Sequence, residues 1–544
     1  MEKRAILAAV LMAALLIVYQ MFFLTTPPSE KAAPPPETRT MPPAGPAPAG
    51  PAPVPVAKAL PRPPERTATV ETPLYRAVVS SDGGRLTEWT LHYRGEKSLV
   101  EAGELGPRGI VLGRPGAGSE VVFLSLSQEV VRLDARKPEG DLVMTGEDPY
   151  GIRVKQTARF RADDYTVDVT LRLENSRATA QTVEVALPWT APIKPGNGKV
   201  VWPTELVWHA EGSTHRELIS KAASLETAPG EWAGVDSLYY LSALVPRSPG
   251  LKLAVGKTGE GKVEAALRDA VTLAPGQAWE GRVQVYAGPK EYARLKAHGL
   301  EGAIDFGGFP VPRRYGGLPM EWLGVPVLLV MHFFYRFIGN YGVAIVLLTV
   351  VTKVLFFPLT VKSMASMKKM QAIQPQANAL RAKFKNDPQR AQREMMTLYR
   401  KEGVNPLGGC LPMVIQIPIF YALYIALSVS VELQNAPFVC LGRAFGVDLW
   451  ICDLAVHDPT YILPILMGIT MFMQQKMTPT MGDPRQAKMM LVMPFVFTFM
   501  FLNLPAGLVL YWTVSNALQI GQQYLMNRAP ARVSGREAKN AARA

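Results

Sequence analysis

The stretch that decides the fold is Tyr341-Gly-Val-Ala-Ile-Val-Leu-Leu-Thr-Val-Val-Thr-Lys353-Val-Leu-Phe-Phe-Pro358-Leu-Thr-Val361. About 20 residues at ~1.5 Å rise each cross a hydrocarbon core of about 30 Å, so this stretch has the length of a transmembrane helix. Its only charged residue is Lys353. The stretch therefore predicts a membrane span that carries a cation at membrane depth.

Five other apolar segments predict further spans. Ala5–Leu24 follows Lys3 and Arg4 and has no small-x-small cleavage site after it, so an uncleaved signal anchor fits better than a cleaved signal peptide. The other four predicted spans are Leu407–Val429, Tyr461–Gln475, Met489–Asn503 and Ala506–Met526. Together these segments predict a polytopic α-helical membrane protein with six transmembrane helices, five of them in one core.

The charge pattern predicts which side of the membrane each part occupies. The chain has 58 Lys and Arg against 45 Asp and Glu, a net charge of +13. Ten basic residues lie between Lys362 and Lys401 against two acidic ones, whereas Glu432–Thr460 holds one Arg and four acidic residues. Because positive loops stay in the cytoplasm, we expect both termini in the cytoplasm and the region between Leu24 and Tyr341 outside it.

Residues 67–300 have the pattern of a large antiparallel β-sandwich. Apolar and polar residues alternate there, as they do from Tyr165 to Leu173. Gly256, Gly261 and Lys262 match the start of a phosphate-binding loop, but Val263 stands where that loop requires Ser or Thr. We interpret that segment as a hairpin turn.

These patterns predict six parts of the chain. They are a signal-anchor helix (1–24), a Pro/Ala-rich linker (25–66), a β-sandwich domain outside the cytoplasm (67–300), a connector on the same side with an interfacial amphipathic helix (301–340), a five-helix core (341–526) that includes a cytoplasmic helical hairpin (362–403), and a basic cytoplasmic tail (527–544). The linker holds fifteen of the 47 prolines, which favours an extended tether.

Lys353 has two interpretations. A lone cation at membrane depth costs about 2.5–3.5 kcal/mol on insertion scales, so it either snorkels to the cytoplasmic face or lines a hydrated cavity. The cavity is favoured by Thr349 one turn earlier and by a polar stripe along the last span. That stripe is Tyr511, Ser515, Gln519 and Gln522, with Trp512 and Asn516 beside it and Gln416 on another helix. Taken singly, each of these side chains is typical of an ordinary hydrogen bond between transmembrane helices.

Catalytic and metal chemistry have little support in these residues. The spans contain no paired carboxylates and no nucleophile with its base, and the six histidines form no ligand cluster. The three cysteines cannot make a four-thiolate zinc site. We therefore expect neither an enzyme nor a cofactor. The rival hypothesis is a scaffold whose periplasmic domain binds a ligand while the helices anchor it.

Four motifs lie in the helical part of the chain. They are Lys353-Val-Leu-Phe-Phe-Pro358, Asn405-Pro-Leu-Gly-Gly-Cys-Leu-Pro412 with Gln416-Ile-Pro418, Tyr461-Ile-Leu-Pro464-Ile-Leu-Met-Gly468, and Gly507-Leu-Val-Leu-Tyr-Trp512-Thr-Val-Ser-Asn516. With them the chain resembles the YidC/Oxa/Albino family of membrane protein insertases, in the Gram-negative form with a large periplasmic domain. The resemblance implies a bacterial inner-membrane insertase and chaperone that hydrolyses no nucleotide.

The resemblance also implies a site and partners. A positively charged groove would receive nascent membrane proteins; Lys353 stands where the family usually has Arg, and Thr349, Tyr511 and Trp512 match groove-lining positions. The basic hairpin and tail would meet ribosomes, targeting factors or the Sec translocon (SecYEG and its accessory subunits). Anionic lipid is an alternative partner of the hairpin.

The outer loop between Pro437 and Tyr461 departs from the family pattern, since it is longer than expected. Cys440 and Cys452 flank the addition and would face an oxidising compartment. A disulfide and two buried free thiols are both open at this point.

Overall fold

The computed structural model describes residues 63–101, 106–107, 109–114, 117–193, 203–258, 261–306, 308–309, 318–319, 321–384, 387–403, 411–444, 447–477 and 484–528. The predicted signal anchor, nearly all of the linker and most of the tail lie outside these residues. So do the side chains of 411–419 and 484–490.

Three sheets make up the β-rich part of the chain. The five-stranded sheet has the order β4-β3-β2-β1-β9, the nine-stranded sheet β15-β14-β17-β18-β21-β12-β11-β10-β8, and the seven-stranded sheet β16-β19-β20-β13-β6-β7 with β5 also on β13. The strands are β1 Thr67–Glu71, β2 Tyr75–Ser80, β3 Leu86–His92, β4 Glu96–Glu101, β5 Gly106–Pro107, β6 Val111–Arg114, β7 Ala117–Val121, β8 Ser125–Leu126, β9 Val130–Arg132, β10 Glu139–Glu147, β11 Ile152–Arg161, β12 Thr166–Asn175, β13 Gln181–Pro192, β14 Glu205–Ala210, β15 Ser213–Leu218, β16 Glu226–Ala228, β17 Trp232–Asp236, β18 Tyr240–Pro246, β19 Lys252–Lys257, β20 Lys262–Leu273 and β21 Ala278–Pro289.

The alternation of apolar residues sets the two faces of these strands. Along β11 every second side chain is buried, from Ile152 to Phe160, because successive side chains of a strand point to opposite faces. Strands β17 and β18 of the nine-stranded sheet pack on β19 and β20 of the seven-stranded sheet. The core between the sheets includes the fully buried Trp89, Trp189 and Trp232.

Among the described strands, pairing is antiparallel with one exception. β1 pairs with β9 in parallel through Thr69 and Val130, so the expectation of an antiparallel domain is wrong at that edge. The predicted hairpin is present, since β19, which contains Gly256, pairs antiparallel with β20, which begins at Lys262. No helix follows Lys262 there, which excludes the phosphate-binding loop.

The helices follow the β-rich part. They are α1 Tyr292–His298, α2 Glu321–Ile338, α3 Tyr341–Leu355, α4 Phe357–Ala372, α5 Gln374–Lys383, α6 Pro388–Lys401, α7 Leu411–Val429, α8 Ile462–Met477, α9 Pro484–Phe501 and α10 Ala506–Arg528. Two short hairpins, β22 Gly308–Phe309 with β23 Leu318–Pro319 and β24 Val439–Ala444 with β25 Val447–Ile451, precede α2 and α8.

The stretch Tyr341–Val361 is not one straight helix. α3 and α4 meet at Phe356 with a bend of 60°, which corrects the expectation of a continuous span. Pro358 lies in the first turn of α4, where its missing N–H breaks no helical bond, so the chain turns just before it. Among the described helices none passes a length-and-hydropathy test for a span by itself, whereas the bent pair α3 and α4 passes it together.

Helix packing places α10 at the centre of the helical part. α10 contacts α8, α3 and α7, while α2 lies against α3 and α7, and α9 lies against α8. The outer loop closes over the start of α10, where the backbone N–H groups of Ala506 and Gly507 donate to the carbonyl oxygens of Val456 and Leu454 at 2.7 and 3.0 Å. Donors that a helix N-terminus would leave unpaired are thereby satisfied.

Candidate functional site

Lys353 lies in the last turn of α3, immediately before the bend. Its side chain is half-buried, and its Nζ donates a hydrogen bond of 2.8 Å to Oε1 of Gln519 on α10. Within the described parts of the chain no carboxylate comes within ion-pair distance of Lys353. A neutral amide orients the ammonium group without neutralising it, so the positive charge remains available to an anionic group.

The amides of α10 extend this site along the helix. Asn516, Gln519 and Gln523 recur at three and four residues and therefore lie on one helical face. Asn516 is only 7% exposed and its Nδ2 has no hydrogen-bond partner among the described residues. Nε2 of Gln522 is likewise buried without a partner in that part of the chain. Because such a buried donor costs about 1–3 kcal/mol when unpaired, this face is chemically suited to hold polar groups from outside the protein.

Thr349 is close to Lys353 but does not present a free donor. It is fully buried one turn earlier on α3, and its hydroxyl donates to the carbonyl oxygen of Ile345 at 2.7 Å. The hydroxyl oxygen of Thr349 can therefore only accept a hydrogen bond from another group. The sequence correctly places Thr349 on the face of Lys353, but the hydroxyl of a helical Thr often turns back to its own backbone.

Tyr511, Trp512 and Ser515, the other predicted site residues with described side chains, precede Gln519 on α10. Tyr511 is buried, and Trp512 packs among Phe420, Phe497 and Phe501 with ring centroids 4.5–6.3 Å apart. Trp512 precedes Gln519 by seven residues, about 10 Å along α10. Its ring therefore belongs to an aromatic cluster of α7, α9 and α10. Ser515 is half-buried between these two regions, and the side chain of Gln416 falls outside the described residues.

Gln519 is the residue whose role sequence analysis did not identify. Its position in the polar stripe is visible from the spacing, but the partner of Lys353 is not. The two residues are 166 positions apart, and nothing local in either segment indicates that they meet.

The predicted basic hairpin consists of α5 and α6 packed on each other. Asp387 caps α6, since its carboxylate accepts from the backbone N–H of Arg390 at 3.0 Å, as Asp-Pro at a helix start predicts. Ile373 and Ala377 are buried, and the charged residues Arg390, Arg393 and Arg400 are exposed. The hairpin thus presents positive charge to its surroundings.

The outer loop carries a disulfide between Cys440 and Cys452, with Cα atoms 4.6 Å apart. It joins β24 to the end of β25 across the hairpin. The structure thus has the bonded alternative of the two that the sequence left open.

Comparison with known proteins shows which class of protein has this architecture. A family model described as the YidC periplasmic domain matches residues 67–312, and one described as the 60Kd inner membrane protein matches residues 333–532. The protein is therefore an inner-membrane protein in which a helical membrane core follows a β-rich periplasmic domain.

Two bacterial relatives indicate the family within this class of inner-membrane proteins. The membrane protein insertase YidC of Syntrophus aciditrophicus is 39% identical over 482 residues, which cover 85% of each chain. The membrane protein insertase YidC of Geobacter metallireducens is 38% identical over 89% of each chain. A solved structure, titled an active YidC insertase with the first transmembrane domain resolved, covers 85% of this chain and 94% of its own at 19% identity and a TM-score of 0.36. The chain belongs to the YidC family of membrane protein insertases.

Membership in this family indicates a protein that is not an enzyme. Within the described residues, no group of three or more His, Cys, Asp or Glu side chains is arranged to hold a metal ion.

Proposed function

We propose that this protein inserts integral membrane proteins into the inner membrane and assists their folding and assembly. Lys353 and the amide face of α10 form a hydrated groove that receives the polar, acidic tail of a client before the tail crosses. The groove residues in this proposal are Lys353, Thr349, Gln416, Tyr511, Trp512 and Ser515, together with Gln519 and Asn516.

The observation that carries the proposal is the pairing of Lys353 with a neutral amide. A structural lysine at membrane depth ordinarily has a carboxylate partner, because an uncompensated charge there is costly. Lys353 bonds instead to Gln519, which lies on the same helical face as the buried amide of Asn516. An acidic client segment would supply the counter-charge.

The outer loop supports a groove that is closed on the periplasmic side. It binds the N-terminal N–H groups of α10, and Asn340 at the start of α3 donates to the carbonyl oxygen of Phe438 at 3.0 Å. These contacts hold the outer helix ends together. The bend at Phe356 directs α4 away from the axis of α3 on the other side, next to Lys353.

We also propose the topology and partners that the charges favour. In this proposal the chain crosses the membrane six times with both termini in the cytoplasm, and its parts have the boundaries predicted from the sequence. The exposed arginines of the hairpin and the basic tail would contact ribosomes, targeting factors and anionic lipids, and the helical core would cooperate with the Sec translocon.

The test is complementation in cells depleted of their own insertase, with a small client that has an acidic translocated tail. Rescuing copies are the unmodified chain, Lys353→Ala and the control Lys362→Ala, at matched protein levels. Lys362 is exposed on α4, nine residues beyond Lys353. We expect the unmodified chain and Lys362→Ala to restore tail translocation and Lys353→Ala to fail.

Two outcomes would contradict parts of this proposal. Full rescue by Lys353→Ala would show that the lysine snorkels and takes no part for that client. Failure of the unmodified chain, when correctly inserted, would count against insertase activity and favour the scaffold.

One observation favours the scaffold as a second candidate. The seven-stranded sheet carries an open cavity of about 490 Å³, lined by small residues and by five charged ones, which are Glu184, Lys252, Glu264, Arg268 and Asp269. In that case Arg268→Ala would abolish function in the same rescue assay, whereas Lys353→Ala would be neutral.

A further inference from the structure

The segment 430–436, which follows α7 and precedes the outer loop, is in direct contact with the β-rich domain. Arg94, in the turn between β3 and β4, donates from Nη1 to the backbone carbonyl oxygens of Glu432 and Gln434, the latter at 2.9 Å. Asn435 returns a hydrogen bond from Nδ2 to the carbonyl oxygen of Arg94 at 3.0 Å. The hydroxyl of Tyr240 donates to Oε1 of Gln434 at 2.8 Å. Four directional bonds therefore join the domain to one short segment.

The side chain of Glu432 extends this contact to α2. It is only 6% exposed, and its Oε1 lies 3.0 Å from Nε2 of His332 on α2. Its Oε2 accepts from the hydroxyl of Ser430 at 2.7 Å. Glu432 thus binds the β-rich domain through its backbone and α2 through its carboxylate, so that one residue connects the two.

Aromatic contacts carry the connection to α3. The guanidinium of Arg94 lies 5.5 Å from the ring centroid of Tyr341, the first residue of α3. That ring stacks on Tyr335 of α2 at 3.8 Å and meets His332 edge-on at 6.1 Å. Lys353 follows on the same helix twelve residues later, about 18 Å along the axis. Arg94 and His332 therefore both contact the first residue of the helix that carries the groove lysine.

We propose that Arg94, Glu432 and His332 form a pH-dependent clamp, here called the outer clamp, that docks the β-rich domain on α2 and α3 and positions the groove. Its residues are positioning residues, since none of them touches the groove. The effect on insertion rests on the proposed function, whereas the docking itself does not.

The charges around His332 and Glu432 determine whether the clamp strengthens or weakens as pH rises. Burial alone would lower the pKa of His332, but its hydrogen bond to Glu432 and the charges of Glu432 and Glu291 outweigh burial, and the pKa lies above its ordinary 6.5. Burial alone would raise the pKa of Glu432, but the hydrogen bond and charge of His332 and the hydroxyl of Ser430 lower it below 4.5. Tyr93, beside Glu291, stays neutral in this range because burial raises its pKa.

These two pKa shifts define the pH range in which the clamp is stable. The contribution of His332 is complete below its ordinary pKa of 6.5 and is lost as pH rises through the raised value. The contribution of Glu432 is complete above 4.5 and is lost as pH falls through the lowered value. The clamp is therefore strongest between those two values and opens as the periplasmic side becomes alkaline.

The experiment is hydrogen–deuterium exchange of the full chain in lipid nanodiscs, without any client, at pH 6 and pH 8.5 with correction for intrinsic exchange rates. The readout is protection of the amides in 430–436 and in the β3–β4 turn. The variants are His332→Gln, Glu432→Gln and Arg94→Ala. The control is His298→Gln, because His298 forms a comparable pair with Asp164 at 2.7 Å within the β-rich domain.

We expect the unmodified chain and the control to lose protection several-fold at pH 8.5. His332→Gln and Glu432→Gln should be weakly protected at both pH values, and Arg94→Ala should lower protection in the turn. Unchanged protection of the unmodified chain between the two pH values, or an intact pH response in His332→Gln, would overturn the clamp. Protection of the β11 and β12 amides, measured in the same samples, shows whether each variant is folded. Because no client is present, failure of the clamp leaves the insertase proposal standing.

Discussion

Nζ of Lys353 and Oε1 of Gln519 are 2.8 Å apart, and this bond joins the last turn of α3, just before the bend, to the polar face of α10. Glutamine holds the ammonium in place while leaving its charge uncompensated. The choice of an amide over a carboxylate at this position is therefore open to a direct test.

Replacing Gln519 by Glu should impair insertion of acidic tails more than replacing it by Met. Glutamate would form a permanent ion pair with Lys353 and compete with the client's carboxylates for its charge. Methionine removes the hydrogen bond but leaves the charge available. The measurement is tail translocation in the depletion strain at matched protein levels. Equal activity of the two variants would contradict competition for the lysine charge.

Replacing Asp236 by Asn should destabilise the β-rich domain. Asp236 is 2% exposed and lies 3.0 Å from the buried Nζ of Lys290 and 2.7 Å from Arg216. Removing one partner of a buried ion pair costs about 3–5 kcal/mol, because the remaining charge stays buried. The thermal midpoint of the domain, followed by tryptophan fluorescence of the full chain, should fall by roughly 6–12 °C.

The control for that prediction is Asp141→Asn. Asp141 pairs with Arg159 at 2.8 Å on the surface, where an ion pair contributes about 0–1 kcal/mol. A midpoint shift as large as that of Asp236→Asn would show that burial is not the cause.

Replacing Gly468 by Leu should weaken the contact between α8 and α9. A Cβ atom at Gly468 would collide with the side chain of Thr498, and overpacking of this kind costs about 1–3 kcal/mol. The expected result is a lower yield of monodisperse protein in detergent. Gly521→Leu on α10 is the matched control, since nothing lies within 4 Å of its added Cβ. Equal yields of the two variants would argue against this packing.

Replacing both Cys440 and Cys452 by Ser should loosen the β24–β25 hairpin. The bond closes a loop of 12 residues, which a chain-entropy estimate values at about 3 kcal/mol. The expected result is faster proteolysis between β24 and β25. In the unmodified chain, a thiol-reactive mass tag should label both positions only after reduction. Labelling without reductant would show that the thiols are free.

Local patterns predicted much of this structure. The strand alternation around β11, the Asp387 cap of α6 and the polar stripe of α10 are all visible in the sequence, because each depends on residues within one element. The bend at Phe356 was missed, since an apolar run of sufficient length is compatible with both a straight and a broken helix. The pairing of β1 with β9 in parallel was also missed, because register between distant strands is set by the faces they bury.

By itself the sequence determined the family, the order of the β-rich and helical parts and the position of a lysine in an apolar run, since composition and periodicity act over short distances. The tertiary structure decided that Lys353 meets Gln519, 166 residues away, and that Arg94 meets Glu432, 338 residues away. Hydrogen-bond partners so far apart are selected by the packing of helices and sheets around them. For that reason the charge could be found in the sequence, whereas the neutral partner that leaves it available could be found only in the fold.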